Sequence, residues 1–139
     1  MILYCDTSSL IKLYIDEAGS TEVRAWVNDA DMVTTCRVAL PEMLSALTRR
    51  LNSGDLERSV YQSLVNAVRR DWPHIVALDF SATDAADLVE RHGLRGFDAV
   101  HLSSALLLAG RDGVDLVFSS FDIKLNSAAE SEGLRVLKI

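Results

Sequence analysis

The chain has 139 residues, 49% of them hydrophobic and 24% charged, which describes one globular domain and excludes a disordered or low-complexity chain. Its formal net charge of −6 on its own argues against a nucleic-acid partner, since phosphate binding tends to show as a basic patch, although a metal held by clustered acids reverses the local sign. Cys5 and Cys36 fall in apolar stretches with no C-x-x-C, no basic leader precedes the first apolar run, and no apolar run has membrane-spanning length, so the expectation is a cytoplasmic protein with reduced thiols and no membrane part.

In chain order, Ile2 to Cys5 is a continuous apolar run that suits a strand buried on both faces, and it ends at Asp6. Thr7 and Ser8 are N-cap types, so a helix carrying Leu10, Ile11, Leu13 and Tyr14 follows at once. Ser20 is the expected cap of a second helix with Val23, Trp26, Val27 and Ala30 on its apolar face. Asp31 to Cys36 reads as a β-branched strand. Pro41 fits the first turn of a helix striped by Leu40, Leu44, Leu47 and Leu51. After the turn Asn52-Ser53-Gly54, a helix with Val60, Tyr61, Leu64, Val65 and Val68 on one face should pair with it as an antiparallel hairpin.

Trp72-Pro73 stops that helix, and His74 to Phe80 reads as the third strand. Ser81 to His92 is a helix with an acidic face (Asp84, Asp87, Glu90) and Gly93 as its C′ residue. Asp98 to Ala109 is apolar nearly all round and therefore expected to be buried. Val114 to Ser119 and Leu134 to Ile139 read as strands flanking a helix over Phe121 to Glu132. Strands alternating with helices predict a parallel, three-layer α/β sheet in a single domain over residues 1–139.

Four acids stand at helix starts: Asp6, Glu42, Asp98 and Asp122. Each taken alone is an ordinary cap or dipole partner. Together they matter, because strand ends of one kind share one edge of a parallel sheet, which is where ligands bind. An acid heading an apolar helix is costly to bury unless paired, and several carboxylates together are stable mainly around a hard cation. All-oxygen ligation favours Mg²⁺ or Mn²⁺, with Asp6, Glu42 and Asp98 expected to bring their carboxyl oxygens within roughly 3–6 Å of one another or of a shared ion. His101 follows Asp98 by one helical turn and reads as a buried supporting histidine rather than a ligand; His74 and His92 read as solvated. Arg37, Arg95 and Lys12 lie near the expected edge, as substrate contacts or as plain surface charges.

Asp6-Thr7-Ser8-Ser9-Leu10, Pro41-Glu42-Met43-Leu44, Phe97-Asp98-Ala99-Val100-His101-Leu102 and Ser120-Phe121-Asp122 with Leu125, Ala128 and Gly133-Leu134 resemble, in order and over essentially the whole chain, the PIN-domain ribonucleases, and among them the VapC-type toxins of toxin–antitoxin pairs. The resemblance implies a five-stranded parallel sheet flanked by helices. It implies Asp6, Glu42 and Asp98 as the core acids and Asp122 as a more variable fourth, holding Mg²⁺ or Mn²⁺ for RNA cleavage. It also implies a homodimer silenced by a VapB-type antitoxin whose basic C-terminal tail covers the site. Ser8 and Ser120 are expected to hydrogen-bond these acids or phosphate, Ser120 standing where the family often has threonine. Two alternatives stay open: a PIN-like binding module without catalysis, and another α/β phosphoryl-transfer protein. The second would want adjacent early acids with a later lysine (a receiver), or Asp-x-Asp where this chain has Asp6-Thr7-Ser8 (a phosphatase).

Overall fold

In the computed structural model, which describes residues 1–139, the five apolar runs become the strands of one parallel sheet. The strands are β1 (Ile2–Cys5), β2 (Met32–Cys36), β3 (Val76–Leu78), β4 (Leu116–Ser119) and β5 (Arg135–Leu137), in the spatial order β3-β2-β1-β4-β5. β1 is central, with Tyr4 opposite Thr34 on one side and Phe118 on the other. Burial on both faces explains why β1 and β4 read as unbroken apolar runs, while the edge strand β3 leaves Val76 exposed.

The helices are α1 (Thr7–Leu10), α2 (Ser20–Asp29), α3 (Ala39–Asn52), α4 (Arg58–Asp71), α5 (Ala82–His92), α6 (Gly96–Ala109) and α7 (Ile123–Ser131). Each face of the sheet has its own core. Leu3, Cys5 and Leu10 pack with Ala39, Met43 and Leu47 of α3 and Val68 of α4. Tyr4 and Phe118 pack with Ala85 and Leu88 of α5, Ala99, Leu102 and Ala105 of α6, and Leu125 and Ala128 of α7. The chain therefore winds outward from β1 over one face and returns to β4 and β5 over the other. That reversal leaves a topological switch point between the carboxyl ends of β1 and β4.

Local chemistry sets several boundaries differently from the sequence pattern. Asp6 itself caps α1, accepting from the Ser9 N–H at 2.9 Å, so the cap lies one residue before the hydroxyl pair. Gly19, not Ser20, precedes α2; its φ of +90° and the Phe121 ring against it require glycine, and the Ser20 hydroxyl instead bonds Glu17 N–H and Ile15 C=O. The buried line of α3 is Ala39, Met43 and Leu47, with Leu40 and Leu44 only half-buried. A 3-10 turn over Trp72–His74 delays β3. Val60 of α4 and Leu107 of α6 stay exposed, because α4 and the C-terminal half of α6 are covered on one side only. Gly93 closes α5 at φ +64°, the left-handed C′ conformation its position predicts.

The buried hydroxyls of α6 are satisfied: Ser104 Oγ donates to Asp79 C=O at 2.8 Å, and Ser103 Oγ to Ser81 C=O at 3.2 Å. These bonds tie α6, which carries Asp98 and His101, to the loop after β3. Lys12 is buried, ion-paired with Glu17 at 2.9 Å and seated 4.4 Å from the Phe121 ring centre, so it is structural and does not face a substrate. His92 is half-buried against Glu132 rather than solvated. Arg37 pairs with Asp79 at the surface. Both cysteines are free and buried, and burial pushes the Cys5 thiol up to about 12. No helix is long and apolar enough to cross a membrane.

Candidate active site

The switch point opens into a cleft of about 570 Å³ lined by Asp6, Glu42, Asp98 and Asp122, with Thr7, His101, Arg49, Arg95 and Phe121 among its other walls. Four elements deliver the acids: Asp6 from the end of β1, Glu42 from the first turn of α3, Asp98 from the first turn of α6, and Asp122 as the N-cap of α7.

Asp6 is 3% exposed and enters no ion pair; it is held by donors alone. Ser8 Oγ donates to Oδ1 at 2.7 Å, Ser9 N–H to Oδ1 at 2.9 Å, and Ser120 Oγ to Oδ2 at 2.6 Å. Each serine in turn accepts a backbone N–H, from Phe121 to Ser8 and from Asp122 to Ser120, so the loop after β4 is pinned to Asp6. Burial nevertheless raises the Asp6 carboxyl above its ordinary range, outweighing the nearby His101 and the serine hydrogen bonds.

Glu42 behaves in the opposite way. Its burial pushes upward, but the hydrogen bonds from His101 and Thr7, with the charge of Arg95, hold its carboxyl below the ordinary range. His101 Nε2 lies 2.8 Å and Thr7 Oγ1 2.7 Å from Glu42 Oε1. Asp98 and Asp122 share one cation: Arg95 Nε donates to Asp98 at 2.9 Å, and an Arg95 terminal nitrogen approaches Asp122 at 3.4 Å. The hydrogen bond and charge of Asp98, then the charge of Asp122, raise the guanidinium pKa.

All four sequence-derived acids thus border one cleft, yet no three His, Cys, Asp or Glu side chains in the chain are gathered closely enough to hold a metal ion as they stand. The physical reason is electrostatic. Like charges separate when no cation lies between them, and Arg95 already bridges two of the four. The donor chemistry still fits a hard divalent cation, since every acid offers oxygen and Asp6 is a buried carboxylate with no positive partner. Ser8 and Ser120 bond Asp6. Thr7 and Arg49 join the cleft without having been expected there; a hydroxyl directly after Asp6 is the sequence signal for Thr7, and Arg49 carries none.

Residues 3–131 match the PIN domain family. The chain is 36% identical to Ribonuclease VapC45 of Mycobacterium tuberculosis strain CDC 1551 / Oshkosh, over 97% of this chain and 94% of that protein, and equally so to Ribonuclease VapC49 of strain H37Rv. Its fold is shared by PAE2754 from Pyrobaculum aerophilum, with a TM-score of 0.68 at 18% identity covering 98% of this chain and 89% of that one. FitAcB from Neisseria gonorrhoeae matches it with a TM-score of 0.67 at 16% identity, covering 99% and 97%. The chain belongs to the PIN-domain family, in its VapC-type ribonuclease branch.

Proposed function

We propose that this protein is the toxin of a toxin–antitoxin pair, an Mg²⁺-dependent endoribonuclease (Mn²⁺ serving in its place) that hydrolyses RNA phosphodiester bonds in the cytoplasm. The observation that carries the reading is the unpaired buried carboxylate of Asp6 at the floor of a cleft lined by three further acids, in a chain 36% identical to proteins named ribonucleases. Asp6 and Asp98 are the principal metal ligands, Glu42 ligates or orients the attacking water, and Asp122 helps to hold a second ion. A bound divalent ion would acidify water and stabilise the leaving oxygen. The chain's own groups do the rest. Ser8, Ser9 and Ser120 fix Asp6, and Arg95 and Arg49 place positive charge on the cleft wall, where a phosphodiester would lie. The four acids of the cleft outnumber these two arginines, so the bound cation is what would answer the objection raised by the net −6.

The partners that go with this reading are an RNA substrate, a second copy of the chain in a homodimer, and a VapB-type antitoxin. The antitoxin's basic C-terminal tail would lie along the α3–α4 hairpin and place an arginine or lysine among the acids in the cation's stead. The test is incubation of the purified protein with total RNA in chelator, Mg²⁺ and Mn²⁺, beside Asp98→Asn. Cleavage restored by metal and absent in the variant is the expected result. Cutting in chelator, or equal cutting by Asp98→Asn, overturns the metal assignment. No cutting under any condition by a folded, metal-loaded protein leaves the PIN-like binding module as the answer.

A further inference from the structure

His101 is buried and makes hydrogen bonds at both ring nitrogens, and proton counting along those bonds places a hydrogen on Nε2. Glu42 Oε1 has no proton to give as a carboxylate, so the 2.8 Å contact needs a hydrogen on His101 Nε2. Thr7 spends its single hydroxyl proton on the same Oε1 at 2.7 Å, so at 3.1 Å from Nε2 its oxygen can only accept. At the other end, Tyr4 Oη lies 2.8 Å from Nδ1. Tyr4 is 0% exposed, stacked on Phe118 with ring centres 5.4 Å apart, and its hydroxyl has Nδ1 as an acceptor at hydrogen-bond distance, with the Ser104 hydroxyl also beside it.

We propose that Tyr4, His101, Thr7 and Glu42 form one directional hydrogen-bond chain in which the Tyr4 hydroxyl locks His101 as a neutral Nε2–H donor, making His101 a positioning residue for Glu42 in RNA cleavage. Both donors meet on Oε1, which leaves Oε2 without a protein partner on a residue that lines the cleft. The chain spans four elements: Tyr4 on β1, Thr7 on α1, His101 on α6 one turn beyond Asp98, and Glu42 on α3 from the opposite face of the sheet. A side chain held from both layers keeps its rotamer when RNA enters, which is what orienting a water requires. A neutral donor also adds no positive charge beside the acids, so the cation demand of the cleft is left intact.

The role in cleavage rests on the proposed function; the hydrogen-bond chain does not, and the experiment reads the two separately. Side-chain ¹⁵N–¹H correlation spectra of the metal-free full chain should show His101 with a pyrrole-type Nε2 and a pyridine-type Nδ1, and Tyr4→Phe should erode that preference. An imidazolium, an Nδ1–H tautomer, or a tautomer indifferent to Tyr4→Phe overturns the chain. In kinetics, His101→Leu should lower kcat about 10- to 100-fold with KM held. His101→Gln, whose amide N–H can still reach Glu42, should recover most of the loss. Equal kcat in His101→Leu and the parent, or His101→Gln no better than a folded His101→Leu, overturns the positioning role. Should His101→Leu not fold, Tyr4→Phe and Thr7→Val decide it, each expected to lower kcat. A folded parent that never cuts RNA overturns the proposed function and the positioning role with it, while the spectra still decide the chain.

Discussion

Replacing Asp6 separates its charge from its hydrogen bonds. Asp6→Asn keeps an oxygen for the Ser9 N–H and Ser8 hydroxyl, so the cap of α1 survives. It loses the acceptor facing Ser120, whose hydroxyl can turn to accept from the new amide. It also removes a buried anion that has no cationic partner in the metal-free protein. Asp6→Ala removes that anion too, but strands the buried Ser9 N–H and the Ser120 hydroxyl, at about 1–3 kcal/mol for each orphaned donor. Both variants shed the desolvated charge, so that gain cancels between them, and Asp6→Ala should fall about 2–6 kcal/mol below Asp6→Asn. At this chain length that is a gap of roughly 4–24 °C in Tm. The assay is thermal and urea melting in chelator at neutral pH, with RNA cleavage measured on the same preparations in Mg²⁺. The expected order of stability is Asp6→Asn at or above the parent, with Asp6→Ala lowest, and both variants inactive. An asparagine variant that melts as low as the alanine one would refute the view that the carboxylate's charge, rather than its hydrogen bonds, is the strained part. Parental cleavage by either variant would refute its role in the site.

The remaining expectations concern pH and one tight turn. Because the Asp6 carboxyl is raised, the native chain holds that proton more tightly than the unfolded one. In chelator, its contribution to stability should therefore be fully present below about pH 3.9 and be lost as pH rises from there through the native value. Glu42, Asp71 and Glu132 are lowered and act with the opposite sign, so the readout is the difference in stability between parent and Asp6→Asn across pH; a difference that does not grow with pH contradicts the assignment. Gly19→Ala should cost about 1–2 kcal/mol of left-handed strain plus about 1–3 for overpacking, since its Cβ would stand 2.5 Å from the Phe121 ring. Gly54→Ala, with φ +85° and open space around it, should cost the strain alone, and equal urea midpoints for the two would mean that Phe121 yields freely.

The parts of the fold that announce themselves locally were legible in the sequence. Apolar runs placed β1 and β4, periodicity placed α3 to α6, and Gly93 closed α5. The acids were legible as well, because each follows a strand or opens a helix and the parallel sheet carries those starts to one edge. What could not be read were properties belonging to pairs of distant segments. The order β3-β2-β1-β4-β5 leaves no local trace. Leu107 and Val60 fit the apolar stripes of their helices and remain exposed, because a stripe records what a helix can bury and not how wide its neighbour is. Lys12 looked like a surface cation until Glu17 and Phe121 enclosed it. Arg95 stood near the edge on sequence grounds, but its bridge between Asp98 and Asp122 depends on α6 and α7 starting side by side.

The bond from Ser120 to Asp6 closes a loop of 114 residues, and the Ser9–Ser119 and Tyr4–His101 bonds span 110 and 97. At synthesis rates of about 5–20 residues per second, Asp6 waits roughly 6–23 s on the ribosome before Ser120 is made. For that interval the central strand has only one of its two neighbours, and Asp6 has only the donors that follow it directly in the chain. Contacts of such long range also slow folding itself. The cleft is therefore a property of the finished chain: a nascent product that ends before β4 carries three of the four acids and no floor to set them on.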